Sequence, residues 1–100
     1  MAPQFSWDRR KAVGNEEKHG VMLEEAASVF RDPTAAIFDD DRHSDDEYRE
    51  LIVGHSERHR LLIVSFAERD DIIRIISARR ANKKEREDYE QYRKRFSTQR

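Results

Sequence analysis

The sequence predicts one α+β domain spanning residues 1–100, in the order β-α-α-β-β-β-β-α. Three observations predict it. Two helix-like stretches bounded by cap residues occupy positions 8–33. Four short runs rich in β-branched and aromatic residues follow, separated by turn signals. A polar segment with a helix-start pattern closes the chain.

The elements follow in order. Phe5-Ser6-Trp7 alternates like a short edge strand. Asp8 suits a helix N-cap and Gly20 the residue past a helix end, which brackets a helix over Arg9–His19. Ala12 and Val13 are its expected inward residues, and Lys11, Asn15 and Lys18 share its polar face. Leu23, Ala26, Ala27 and Phe30 form the stripe of a second helix of about nine residues, stopped by Asp32-Pro33. Strands are expected over 34–38, 48–53, 61–67 and 72–77, as an antiparallel meander. An acidic loop over 39–47, a polar turn over 54–60 and a hairpin turn over 68–71 join them. Asn82 with Glu85 starts the last helix as a capping box, and Tyr89, Tyr92 and Phe96 line one narrow side of it.

Composition removes several function classes. There is no cysteine, so disulfides and thiolate metal sites are excluded. No apolar run nears the roughly 18 residues of a membrane span, and the start lacks a signal-peptide layout, so a soluble cytoplasmic protein without a membrane partner is expected. No HExxH, phosphate-loop or GxSxG pattern occurs. His55 and His59 show an H-x3-H spacing without a third ligand. Asp39, Asp41 and Glu50 take calcium-loop positions, but Ser44 stands where the loop needs glycine. No metal or other cofactor is therefore expected.

Net charge is −1, yet the first fifty residues carry −6 and the last fifty +5. The positive charge concentrates in Arg74–Lys84, eleven residues with five cations and no anion. Strict alternation on the last strand sets Arg74 on the face of Ile72 and Ile76, and Ser77 on that of Ile73 and Ile75. Arg79 and Arg80 follow at the strand end, where guanidinium groups can grip phosphate with two parallel hydrogen bonds. Lys83 and Lys84 sit in a first helical turn, where the macrodipole disfavours cations. A nuclease, a plain binding surface and a solvated helix start all fit this cluster.

The segments together narrow the choice. Phe5-x-Trp7-Asp8-x-x-Lys11 precedes Asn15-x-x-Lys18-His19-Gly20-Val21. Glu24-Glu25-Ala26, Val29-Phe30-x-Asp32-Pro33, His43-Ser44, Glu47-x-Arg49 and Gly54 follow. Ile73-Arg74-Ile75-Ile76-Ser77-Ala78-Arg79-Arg80-Ala81 comes last, with Glu85-Arg86 and Tyr89. In this order and spacing the chain resembles the BrnT family of bacterial toxins. The resemblance implies a RelE-like fold and a ribonuclease that blocks translation. It also implies neutralisation by a BrnA-type ribbon-helix-helix antitoxin, in a 2:2 complex that reaches operator DNA through the antitoxin. Met22 departs from the family's usual serine, and His59-Arg60 stand where a glycine is usual.

With no paired carboxylates placed for metal ions, the expected chemistry is metal-free attack of a ribose 2′-OH on phosphorus. His19, Lys18, Arg74, Arg79 and Arg80 are the expected catalytic set. Lys11, His43, Ser77, Lys83, Lys84 and Tyr89 are the expected RNA contacts, with His43 an alternative proton-transfer group. The competing expectation is a non-catalytic module whose basic patch docks an antitoxin or DNA and co-represses the operon.

Overall fold

The computed structural model describes residues 3–41 and 47–97. They form strand β1 (Gln4–Ser6), helices α1 (Arg9–His19) and α2 (Leu23–Ser28), and a short 3-10 turn (Val29–Arg31). Strands β2 (Ala36–Asp39), β3 (Glu50–His55), β4 (Leu61–Arg69) and β5 (Ile72–Arg80) follow, then helix α3 (Lys83–Ser97). The five strands make one sheet in the order β1-β5-β4-β3-β2. Its meander is antiparallel as expected, while β1 joins it parallel to β5. No helix of the described residues is long and apolar enough to cross a membrane.

Local rules account for the helix ends. The Asp8 carboxylate accepts from the Lys11 N–H at 3.1 Å and caps α1. Gly20, at φ 68°, ends it in the left-handed conformation that glycine adopts without strain. Met22 heads α2 with no side-chain cap. The expected nine-residue second helix tightens after six residues into the 3-10 turn. Asn82 and Glu85 exchange side-chain-to-backbone hydrogen bonds of 2.8 and 2.9 Å, as the capping box at α3 requires.

The core lies between α1, α2 and one face of the sheet. Val21, Leu23, Ala26 and Val29 meet Ile52, Leu62, Val64, Phe66, Ile73, Ile75 and Ala78 there. Phe30 closes its rim, 5.3 Å from Phe5 and 5.0 Å from Phe66 between ring centres. Gly54 passes so close to the 3-10 turn and the segment after it that a Cβ would stand 3.1 Å from Val29 Cγ1 and 2.8 Å from the Ala35 Cβ. The strand runs on through Gly54 to His55, paired with Leu62 and Leu61, where a turn was expected.

A polar knot locks the helical layer to the turn at 56–60. The Glu25 carboxylate, 3% exposed, accepts from Arg60 Nε at 2.9 Å, from Arg60 Nη2 and from Ser56 Oγ at 2.6 Å. Arg60 also donates to the Gly20 carbonyl at 3.2 Å. The Arg60 hydrogen bonds hold the Glu25 carboxyl below its ordinary range against the opposing effect of burial.

Two expectations about α1 are reversed. Val13 is 54% exposed, while Asn15 is buried. The helix lies along the rim of the sheet, so the residue that meets the sheet is the polar one. The opposite face of the sheet carries α3, which buries only Tyr89 among its described side chains. The Tyr89 hydroxyl donates to the Thr34 carbonyl at 2.8 Å and pins the helix there.

Candidate functional site

The site begins with an irregularity in β5. Ser65 stands opposite Ser77 and Phe66 opposite Ile75, so Ile76 is an extra residue without a partner across the ladder. Alternation breaks at such a bulge, and every side chain beyond it changes face. Ser77 was expected to face away from Arg74. The bulge instead sets Arg74, Ser77 and Arg79 on one face, opposite Ala67, Ser65 and Ile63. Arg80, opposite Leu62, falls on the helical side and is exposed.

The C-terminal turn of α1 reaches this face around the edge of the sheet. Lys18 and His19 join Ser77, Arg79, Ser65, Ile63 and Leu51 around a cleft of about 230 Å³. Below it, Ser65 Oγ donates to the buried Asp40 carboxylate at 3.3 Å. The cleft thus holds an imidazole, an ammonium, a guanidinium and two hydroxyls. Such a set can grip a phosphate, shift protons at its oxygens and stabilise added negative charge.

The remaining predicted residues are spread out. Arg74 is roughly 15 Å further down the strand, by the ordinary rise per residue. It pairs with Glu47 at 2.5 Å. The cleft around it, about 360 Å³, also contains Glu50, Glu68 and Asp70, which makes it a poor seat for a phosphate. Lys11 is exposed two helical turns before Lys18. Lys83 and Lys84 are exposed at the start of α3, where Lys84 reaches Asp88 at 3.3 Å. Tyr89 is 4% exposed and bonded to Thr34, so its ring holds α3 in place and has no free face for a base. His43 lies outside the described residues. Among those described, no group of three or more His, Asp or Glu side chains is arranged to hold a cation.

Sequence reasoning missed Glu85. It accepts from both terminal nitrogens of Arg79, at 2.8 and 2.7 Å, as a parallel fork. The Arg79 hydrogen bonds take the Glu85 carboxyl down to about 2, against a smaller opposing effect of burial. They likewise raise the Arg79 guanidinium further above neutrality. The capping box flagged Glu85 as a helix starter, but nothing periodic links residues six apart on a strand and a helix.

Comparison with known proteins now decides the family. Residues 7–85 match the family model described as the ribonuclease toxin, BrnT, of a type II toxin-antitoxin system. The chain belongs to the BrnT family. Its structure is similar to that of the Brucella abortus ribonuclease toxin, BrnT, known at 1.1 Å resolution. The two share 21% identity at a TM-score of 0.63, over 82% of this chain and 100% of the other. At that identity the likeness shows a common fold. None of the curated proteins compared with the chain matches it. Membership in a type II toxin family brings with it an RNA substrate and an antitoxin partner. It also frames the two departures. Met22 leaves α2 uncapped, and His59 sits at φ 63°, a conformation suited to the glycine usual at this turn.

Proposed function

We propose that this BrnT-family chain is an endoribonuclease that cuts RNA in the Lys18–His19–Ser77–Arg79 cleft without needing a metal ion. The carrying observation is that α1 and β5, remote in sequence, place these four polar side chains around one cleft of about 230 Å³. The ribose 2′-oxygen attacks the adjacent phosphorus, and the bond from phosphorus to the 5′-oxygen breaks. The products are a 2′,3′-cyclic phosphate and a free 5′-hydroxyl. His19 moves the proton, from the 2′-hydroxyl or to the departing oxygen. Arg79 and Lys18 stabilise the doubly charged phosphorane, and Ser77 donates a further hydrogen bond to it. For Arg79 to serve, substrate phosphate must take the place of Glu85 on its guanidinium. Lys11, Lys83 and Lys84 lie outside the cleft and suit contacts with flanking phosphates, whereas Arg74 is held by Glu47 among further carboxylates.

The proposal extends to the partner: a ribbon-helix-helix antitoxin of BrnA type, assembled 2:2, bringing the toxin to operator DNA in the cytoplasm. The family's type II class supports this reading. A second reading, a non-catalytic module, draws on one observation: Arg74 and Arg79 are already paired with Glu47 and Glu85.

Induction of the chain alone in bacteria separates the two. Growth arrest with RNA fragments ending in cyclic phosphate is the expected result, with purified protein equally active in EDTA. Arg79→Ala should lower kcat by about 100-fold with the fold retained. Tight RNA or antitoxin binding without any cleavage would favour the binding module.

A further inference from the structure

The cleft depends on holding α1 in one position, and the apolar packing of α1 is thin: the half-buried Ala12 lies against the core. Among the described residues Asn15 is the one buried side chain of α1, at 6% exposure. A helix with no buried apolar stripe can slide and rotate at little cost in hydrophobic contact. What fixes it must be directional.

Asn15 supplies that direction. Strand β1 covers the outer edge of β5 only opposite Ile72–Arg74. Further along, that edge is closed by the Asn15 side chain. Its Nδ2 donates to the Ala78 carbonyl at 2.8 Å, and its Oδ1 accepts from the Ala78 N–H at 2.9 Å. The amide thus does for Ala78 what the peptide of a neighbouring strand would do. The second Nδ2 hydrogen goes to the Val21 carbonyl at 2.8 Å, just past the end of the helix. All three contacts are buried, so each lost bond leaves a backbone group unsatisfied.

The position of this amide matters as much as its bonds. Lys18 and His19 follow Asn15 by three and four residues, one helical turn on. Ala78 lies between Ser77 and Arg79. One side chain therefore joins the two halves of the cleft. We propose that Asn15 is the positioning residue of the cleft: it docks the C-terminal turn of α1 on the free edge of β5 and so sets Lys18 and His19 over Ser77 and Arg79. Its consequence for cleavage rests on the reading of the cleft as an RNA-cutting site. The docking itself does not.

Asn15→Asp tests it, because the shape is kept while an amide donor facing two carbonyls becomes an acceptor. Asn15→Ala is the second variant, should the acid prevent folding. Backbone hydrogen exchange of the free protein is the first measurement. Residues 18–21 and Ala78 should exchange at least about tenfold faster, while β3 and β4 keep their rates. RNA cleavage, measured well below the melting midpoint, is the second. A drop in kcat on the order of 10- to 100-fold is expected, with KM changed less than about threefold. In a Lys18→Ala, His19→Ala background, the Asn15 variant should add less than about threefold, since the groups it positions are gone. Unchanged exchange at 18–21 would overturn the proposal. So would faster exchange with normal kcat, or losses that multiply in full with those of Lys18→Ala and His19→Ala. Should the wild-type chain not cut RNA at all, the ribonuclease reading fails, and hydrogen exchange still decides whether Asn15 docks α1.

Discussion

Replacing Glu85 by glutamine separates two tasks of one carboxylate. Glu85 caps α3 through Asn82, and it occupies both terminal nitrogens of Arg79. Glutamine serves in a capping box, so the variant keeps the helix start and loses the charge. Arg79 holds the Glu85 carboxyl down to about 2, from an ordinary value of 4.5. A carboxyl lowered on folding stabilises the fold above its ordinary value, and that contribution fades as pH falls from about 4.5 towards 2. A shift of this size corresponds to about 3 kcal/mol in a dry site. The Arg79 and Glu85 side chains are 37% and 29% exposed, and solvent screening reduces the figure to about 1 kcal/mol. Urea denaturation followed through Trp7 fluorescence should therefore show Glu85→Gln about 1 kcal/mol less stable at pH 7, with the gap cut by about half or more at pH 3. Freeing Arg79 should also lower KM for RNA by about threefold with kcat unchanged, because phosphate no longer displaces a carboxylate. Equal stability of the two proteins at pH 7 would refute the argument about the pair. Loss of kcat at full stability would refute the argument about the cleft, since Glu85 would then be a proton-transfer group.

The buried knot at Glu25 gives a stronger stability prediction. Glu25→Gln leaves the Arg60 guanidinium without its carboxylate and should cost about 2–3 kcal/mol in chemical denaturation at pH 7. Because the Glu25 carboxyl is held below its ordinary range, the wild-type advantage should shrink as pH falls through and below that range, and a constant gap would count against the pairing. At the turn before β4, His59→Gly relieves a left-handed backbone at φ 63°. Allowing for the freer unfolded chain, it should gain about 0.5 kcal/mol, seen as a rise of about 3 °C in Tm, and a fall would show that the His59 side chain stabilises the turn.

How much of this was legible in advance follows from the range of each interaction. The limits of α1, the Asn82–Glu85 capping box and the apolar faces of α2 and the meander lie within a few residues of their causes, and all were readable. So was the cationic character of β5 and the family likeness, which rests on ordered short motifs. The site was legible in composition but not in arrangement. Lys18, His19, Ser77 and Arg79 were all singled out, yet as part of a larger set that included Arg74, Arg80 and Tyr89.

Amino-acid order by itself determined which segments become helix or strand, where the helices begin, and which side chains could carry RNA chemistry. Only the tertiary structure decided which of them meet. The extra residue at Ile76 turned Ser77 and Arg79 to the face of Arg74, a change that no pattern of alternating residues encodes. Glu47 claimed Arg74 from 27 positions away, and Asn15 found Ala78 from 63 away. The physical reason is the same in each case. Backbone geometry acts over one turn or one pleat, whereas ion pairs and edge closure depend on which distant stretches the packed core brings within about 3 Å of each other.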